Sequence, residues 1–206
     1  MKFQFKIQSF QTEAAESVVK VFAGQPNYGM LKYRRDVGTT RPKEKPAQGS
    51  LFKDEKEQTM EDFEAAYRNA AVELSEEQLL TNIRDVQTAN NIKYSTELVA
   101  GLGAVSLDVE METGTGKTYV YIKTMFELHK AYGWSKYIVV VPSIAIREGV
   151  KKSFEITQEH FMELYGLKAR FFIYNSSNLQ QLDEFSQNPG INVMIINTQA
   201  FNTTMN

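Results

Sequence analysis

Cysteine is absent from this 206-residue chain, and histidine occurs only twice. The missing thiols exclude disulfide bonds and thiolate metal sites. His129 and His160 fall far apart in predicted helices, so we do not expect a zinc site. No stretch approaches the ~18 consecutive apolar residues of a membrane span, and the first four residues do not begin a signal peptide. We therefore expect a soluble, cytoplasmic protein with no membrane partner.

Neither sign of charge dominates, because 23 Lys and Arg stand against 25 Asp and Glu, which leaves a net charge of −2. This balance gives no electrostatic indication of a nucleic-acid binder. The length suits one sizeable domain, or one domain that carries an insertion.

The most specific stretch is Met-Glu-Thr-Gly-Thr-Gly-Lys-Thr, residues 111–118. It is typical of a phosphate-binding loop that opens a helix. Gly114 and Gly116 allow the backbone dihedrals with which successive N–H groups point at one oxyanion. Lys117 is placed to reach the β- and γ-phosphates, and the Thr118 hydroxyl is the usual ligand of the Mg²⁺ that bridges them. The stretch predicts a nucleotide-binding site.

One position departs from the usual pattern, which has glycine where this chain has Met111. The neighbouring sequence nevertheless favours the loop. Residues Ser106–Met111 read as a strand, and residues from Gly116 to about His129 read as a helix. That order of strand, loop and helix is the expected context. The alternative is a surface turn with an incidental Lys-Thr pair.

Upstream of the loop, alternation of apolar and polar residues predicts a strand over Phe3–Ile7, and a helix is predicted over Gln11–Phe22. Residues 24–95 then form a helical and loop insertion. Its part from 31 to 56 carries eight basic and four acidic residues, and proline and glycine break any long element. It is either a solvated, partly mobile insertion, which we favour, or a phosphate-contacting arm. Two acidic helices follow, and the second begins with a Ser75–Gln78 capping box.

Downstream of the loop the pattern is α/β. Lys136–Val141 predicts a strand buried on both faces, and Ser143 begins a helix that extends to Tyr165. Two further strands are predicted over Arg170–Tyr174 and Ile191–Ile196. Strands that alternate with helices predict a parallel, doubly wound sheet flanked by helices, with ligands at the carboxyl ends of the strands.

Three segments resemble, in order, the motifs of superfamily 2 nucleic-acid translocases: residues 10–14 (the glutamine motif), 112–118 (motif I) and 139–143 (motif Ia). In that family the first glycine of motif I is commonly replaced. A closer resemblance is to the Res subunit of type III restriction-modification enzymes, through residues 108–120, 140–150, 159–161 and 195–201. An insertion also occupies the corresponding place in that family. The resemblance implies an incomplete RecA-like P-loop NTPase domain, with residues 1–206 as the N-terminal part of the first helicase/ATPase domain.

The resemblance also implies roles for individual residues. Gln11 would read adenine, since a side-chain amide can pair with N6 and N7 of that base. Thr113, Gly114, Thr115, Gly116, Lys117 and Thr118 would hold ATP, with Mg²⁺ on Thr118 and with Lys117 and Thr118 as the catalytic residues. Ser143, Arg147 and Thr198 would contact duplex DNA. Ser143 could instead simply cap its helix, and Arg147 could belong to a solvated helix face.

The family's later Asp-Glu motif has no counterpart here, because Asp54-Glu55 and Asp183-Glu184 both fall in polar, non-strand sequence. The second motor domain, its arginine finger and the nuclease domain have none either. We therefore expect a fragment that at most binds nucleotide, taken from an ATP-dependent DNA translocase and endonuclease that works with a methyltransferase subunit. The alternatives are a stand-alone superfamily 2 helicase and a scaffold that does not hydrolyse nucleotide. A small-molecule kinase is less favoured, since no lid or acceptor site is recognisable.

Overall fold

The computed structural model describes residues 5–36, 63–99, 101, 103–178 and 180–200. Within these ranges the chain forms five helices, here α1 (Ser9–Val21), α2 (Glu76–Ala89), α3 (Lys117–Tyr132), α4 (Ile144–Tyr165) and α5 (Gln180–Gln187). The described residues also form five strands, β1 (Leu31–Asp36), β2 (Phe63–Arg68), β3 (Lys136–Val141), β4 (Arg170–Ile173) and β5 (Asn192–Asn197).

The predicted α/β architecture is confirmed. Strands β3, β5 and β4 form a parallel sheet in that order. Val139 of β3 and Ile173 of β4 both lie opposite Ile195 of the central strand β5. Helices cover both faces of β4, because successive side chains of a strand point to opposite faces. Phe171 packs on Phe154 of α4 at a ring-centroid distance of 5.1 Å, whereas Phe172 meets Phe185 of α5 at 6.0 Å. The chain has a RecA-like α/β fold.

Strand β3 departs from the prediction that it is buried on both faces. Tyr137 and Val139 pack into the core, but Ile138 and Val140 are 50% and 43% exposed. The reason lies in its position, since β3 is an edge strand of the described sheet and α5 packs on β4 at the opposite edge, through Phe185 on Phe172. An unbroken apolar run therefore does not by itself establish burial on both sides.

The main core lies between the sheet and helices α3 and α4. Val193 and Ile195 of β5 are fully buried against Val150 and Phe154 of α4. The helices themselves meet through stacked rings, with Phe161 of α4 4.9 Å from Phe126 of α3. Each large buried side chain of this kind stabilises the fold by about 1.5–3 kcal/mol relative to exposure.

A second cluster joins α1 and α2 to the end of α3. Phe22 packs edge-on against Trp134 at 5.0 Å, and Leu79 of α2 is 1% exposed beside them. The Tyr132 hydroxyl donates a hydrogen bond of 2.9 Å to the carbonyl of Val19, which closes α1 onto α3. The predicted helix Gln11–Phe22 is confirmed, although the observed helix begins at Ser9 and ends at Val21.

The predicted insertion contains a two-stranded ribbon as well as a helix. β1 and β2 pair antiparallel, with Tyr33 opposite Ala66. The segment from residue 31, for which the sequence predicts no long element, begins with the short strand β1. The first of the two predicted acidic helices is wrong over β2. The ribbon could not be predicted, because strand pairing between residues some thirty positions apart leaves no local signature. Residues 37–62, including Asp54-Glu55, lie outside the described part.

The second acidic helix, α2, begins as predicted. The Ser75 hydroxyl accepts from the Gln78 N–H at 3.2 Å, and the Gln78 side chain accepts from the Ser75 N–H at 3.0 Å. This reciprocal capping box satisfies two otherwise orphaned donors.

Two predicted strands are not found where the chain is described. Residues 5–8 precede α1 without pairing, and the rest of that predicted strand lies outside the described residues. Residues Ser106–Met111 are likewise unpaired, although they lead directly into the loop. The Ser106 N–H donates to the Val99 carbonyl at 2.7 Å, but no strand of the described part of the chain pairs with this segment. The predicted order of strand, loop and helix is therefore confirmed only for the loop and the helix.

None of the helices in the described ranges is long and apolar enough to cross a lipid bilayer.

Candidate nucleotide-binding site

The loop at the start of α3 has the backbone form that anion binding requires. Gly114 and Gly116 both have positive φ, 84° and 88°, and Gly116 serves as the N-cap of the helix. In the described part of the chain the Thr115 N–H approaches the Glu112 carbonyl at 3.4 Å, whereas the N–H groups of Gly114, Gly116 and Lys117 donate to no backbone carbonyl. Free amides at a helix N-terminus favour a negatively charged group.

Gln11, which the family resemblance assigns to adenine, lies against this loop. Its Nε2 atom donates a hydrogen bond of 2.9 Å to the carbonyl of Thr115, 104 positions away. The same Nε2 atom would lie 2.6 Å from a Cβ built on Gly116. Position 116 therefore favours glycine for two reasons: its φ is positive, and Gln11 approaches it closely.

The contact between Gln11 and the loop is supported by a second link from α1 to α3. Lys123 is only 5% exposed, and its Nζ donates to the Thr12 hydroxyl at 2.7 Å. A buried ammonium group without a partner is costly, so this hydrogen bond fixes the two helices to each other next to Gln11. Sequence reasoning missed Lys123, and its only signal was a lysine among the apolar residues of α3.

The two residues that follow Gly116 differ in their surroundings. Lys117 is exposed, and Thr118 is half-buried in the first turn of α3. Lys117 also lines a mostly apolar cleft of about 310 Å³, together with Val109, Met111 and Tyr121. Because its ammonium group is exposed beside the free amides of the loop, it is available to an anionic ligand.

Tyr119 extends the site toward α4. Its hydroxyl lies 2.9 Å from Nε2 of His160, and the ring of Phe5 packs on both, 6.2 Å from Tyr119 and 5.0 Å from His160. Burial lowers the pKa of His160 below its usual value; the charge of Lys123 acts in the same direction and that of Glu163 opposes it. The imidazole is therefore neutral at neutral pH. The pairing of Tyr119 with His160 was not predicted.

The residues predicted to contact DNA lie at one edge of the sheet. Val141 and Asn197, the last residues of β3 and β5, are opposite each other. Ser143 and the exposed Thr198 follow these two strand ends. The structure thus places Ser143 and Thr198 at the edge where α/β sheets bind ligands.

Ser143 and Arg147 also have structural partners. The Ser143 hydroxyl caps α4 by accepting from the Ile146 N–H at 3.3 Å. A terminal nitrogen of Arg147 forms an ion pair of 3.1 Å with Glu148, while its Nε is buried without a hydrogen-bond partner in the described structure. Capping, which the sequence left open for Ser143, is therefore observed.

Asp183 and Glu184 lie in α5, outside any strand, as predicted. No group of three or more His, Asp or Glu side chains that could hold a metal ion is found among the described residues.

Comparison with known proteins identifies the family. A family model described as "Type III restriction enzyme, res subunit" matches residues 77–206, which include the loop, the parallel sheet, nearly all of α2 and the whole of α3–α5. The chain belongs to the type III Res-subunit family. The resemblance stated from the motifs is therefore confirmed. This family belongs to a helicase-like superfamily, and the RecA-like fold of the chain agrees with that membership.

Individual Res subunits align with parts of the chain. The EcoP15I Res subunit of Escherichia coli is 39% identical over 110 residues, which cover 52% of this chain and 11% of that protein. The EcoPI Res subunit of Escherichia phage P1 is 32% identical over 149 residues, covering 66% and 15%. The StyLTI Res subunit of Salmonella typhimurium is 48% identical over 62 residues, covering 29% and 6%. The aligned part thus spans no more than about a sixth of these Res subunits.

Proposed function

We propose that this chain binds ATP with Mg²⁺ through the loop at the start of α3, as the ATP-binding part of a type III restriction Res subunit. One observation carries the proposal, namely the positive-φ glycine loop with free amides and an exposed Lys117 inside a chain of the Res family. In the proposed organisation, residues 1–206 belong to the first RecA-like motor domain, and residues 24–95 are an insertion between the glutamine motif and the loop.

The donor set of the loop suits a triphosphate. Residues Thr113–Thr118 would hold the phosphates through backbone amides, and Lys117 would offset charge that develops on the transferred phosphoryl group. The Thr118 hydroxyl would be the protein ligand of Mg²⁺, which when bound neutralises charge on the β- and γ-phosphates. Lys117 and Thr118 are therefore the residues to which we assign catalytic roles.

Gln11 has hydrogen-bonding capacity left for adenine. An amide group has two N–H donors and one carbonyl acceptor. One donor is used on the Thr115 carbonyl, so the second donor and the Oε1 acceptor can pair with N7 and N6 of the base. In this arrangement the residue that reads the base also holds the phosphate loop.

Duplex DNA is the proposed second ligand, at Ser143, Arg147 and Thr198. The half-buried Arg147 keeps an unpaired Nε donor, and Thr198 is exposed at the carboxyl end of β5. Donors at helix N-termini and arginine side chains are common phosphate contacts. In the proposed parent enzyme, a cytoplasmic protein, ATP hydrolysis moves the subunit along DNA before cleavage, with a methyltransferase subunit as partner.

The nucleotide proposal is tested by isothermal titration calorimetry of the protein with ATP and Mg²⁺. Lys117→Ala should abolish measurable binding heat, because the loop loses its only side-chain cation. The matched control is Lys130→Ala, which removes an exposed lysine at the other end of the same helix and should bind as the unmodified protein does. Equal affinity of the Lys117→Ala variant would reject the proposal and favour a nucleotide-independent scaffold.

The DNA proposal is tested by fluorescence anisotropy with a labelled duplex at several salt concentrations. Arg147→Gln should weaken binding and reduce the slope of log K against log salt by about 1, the value for one lost phosphate contact. Lys152→Gln, which alters an exposed lysine paired with Glu155 on the same helix, is the control. An unchanged salt slope in the Arg147 variant would contradict the assignment.

A further inference from the structure

One buried hydroxyl next to the proposed metal ligand has no partner. The phenolic oxygen of Tyr121 is inaccessible to solvent, yet within the described structure it completes no hydrogen bond. Tyr121 lies three residues after Thr118, and residues at this spacing are neighbours on one helix surface. A buried hydroxyl without a partner costs about 1–3 kcal/mol, so its retention here calls for a function.

Among the described residues, Thr118 has no hydrogen bond to the carbonyl four residues before it, which is the usual partner of a threonine in a helix. Thr124 of the same helix donates to the carbonyl four residues before it, Val120, at 2.9 Å, and Thr157 of α4 donates to Ser153 at 2.8 Å. For Thr118 the corresponding residue is Gly114, which lies in the loop with a φ of 84°. Its carbonyl is not part of the helix, so the usual acceptor is lost.

A hydroxyl that offers a lone pair to a cation must direct its proton elsewhere. A tyrosine oxygen can accept that proton, and Tyr121, one helical turn after Thr118, lines the apolar cleft beside Lys117. Burial raises the pKa of Tyr121, whereas the hydroxyl of Thr118 acts to lower it. The second effect is the one expected of a hydroxyl that donates toward the phenolic oxygen.

We propose that Tyr121 is a positioning residue that accepts the Thr118 proton and so turns the lone pairs of Thr118 toward Mg²⁺ at the loop. This inference rests on the proposed function, because it concerns the residue to which that function assigns the metal. It adds a residue outside the loop motif, held in place by the aromatic and aliphatic lining of the cleft.

The test uses Tyr121→Phe, which removes only the oxygen. The measurement is ATP binding by calorimetry at a series of free Mg²⁺ concentrations. We expect the Mg²⁺ concentration at half-saturation to rise about fivefold, the equivalent of one neutral hydrogen bond of about 1 kcal/mol. Tyr132→Phe is the matched control, since its hydroxyl donates to the Val19 carbonyl at the far end of α3, and it should leave the Mg²⁺ midpoint unchanged. An unchanged midpoint in Tyr121→Phe would overturn the inference.

A double-mutant cycle separates positioning from a general effect on folding. In the Thr118→Val background the Tyr121→Phe change should have no further effect on the Mg²⁺ midpoint, because the proton donor is already gone. Additive effects would contradict the inference. A spectroscopic readout is the ¹³Cζ resonance of Tyr121, which should shift when ATP and Mg²⁺ are added and the hydrogen bond forms, while that of Tyr132 stays in place. No shift of Tyr121 would also overturn it.

The two proposals fail in different ways. If Lys117→Ala leaves ATP affinity unchanged, the proposed nucleotide site is wrong. If Lys117→Ala abolishes binding but Tyr121→Phe leaves the Mg²⁺ dependence unchanged, the site stands and only the positioning role of Tyr121 is rejected.

Discussion

Replacing Gly116 by alanine tests the geometry of the loop more directly than any change of charge. The backbone at Gly116 has a φ of 88°, and an added Cβ would lie 2.6 Å from Nε2 of Gln11. Gly114, two residues earlier, has a similar φ of 84°, but an added Cβ would meet nothing within 4 Å. Alanine at either position must therefore adopt a positive φ, but only alanine at position 116 must also displace Gln11.

The magnitude follows from these two terms. An L-residue held in the left-handed region costs roughly 1–2 kcal/mol, and this applies to both positions. At Gly116 the side chain of Gln11 must also move away and give up its hydrogen bond to Thr115, which is worth about 1 kcal/mol. We expect Gly114→Ala to destabilise the fold by roughly 1–2 kcal/mol and Gly116→Ala by about 1 kcal/mol more.

Urea unfolding followed by circular dichroism measures both variants, and thermal unfolding should show a further loss of about 2–4 °C for the extra 1 kcal/mol in a chain of this size. In a Gln11→Ala background the difference between the two glycine variants should disappear, because no side chain remains to be displaced. Equal destabilisation by the two variants in the unmodified protein would refute the reasoning. So would a difference that survives the removal of Gln11.

Two further predictions concern α4. Phe161→Ala should lower the free energy of unfolding by about 3–5 kcal/mol, because the ring is buried between the helices, whereas Met162→Ala on the exposed side should change it little in the same urea titration. The free energy of unfolding should also decrease as the pH is lowered, because of His160. The pKa of His160 is lowered in the folded state, so the unfolded chain takes up a proton first as pH drops below about 6.5. Unfolding at pH 7.5 and 5.5 should therefore show a smaller loss for His160→Gln than for the unmodified protein; an equal loss in both would contradict this.

Elements that depend on local chemistry could be predicted from the sequence. The Ser75–Gln78 capping box needs only two side chains three positions apart, and its reciprocal hydrogen bonds are present. The same is true of the start of α3 after Gly116, and of strands β3 and β5, whose β-branched runs are bounded by turns. In each case the residues that determine the element lie within a few positions of one another.

Elements that depend on a distant partner could not be predicted in the same way. Residues Ser106–Met111 alternate as a strand does, but the alternation says nothing about whether a neighbouring strand is present. Phe63–Arg68 carries charges that suit a helix, and pairing with Leu31–Asp36 overrides that preference. Ile138 and Val140 are apolar as the prediction required, yet their exposure depends on which helix covers the edge of the sheet.

The residues of the site and its surroundings also divide into those that lie together in the sequence and those that only packing brings together. The loop residues 113–118 are contiguous, so their motif reveals them. The hydrogen bond between Lys123 and Thr12 joins residues 111 positions apart, and the partnership of Tyr119 with His160 spans 41. Neither pair has a recognisable spacing, so only the packing of α1 and α4 on α3 brings them together.

These long-range links explain how α1 can serve the loop across the predicted insertion. The segments that flank β1 and β2 are fixed at several points: the Asn82 side chain donates to the Val21 carbonyl at 2.9 Å, and Asn69 accepts from the N–H of Ser135 at 2.7 Å. Closing a long segment costs only about 0.6 kcal/mol more for each doubling of its length. A few such hydrogen bonds and the cluster around Leu79 offset that cost. The insertion therefore contributes to holding α1 on α3, with Gln11 in reach of the loop, rather than merely separating the two motifs.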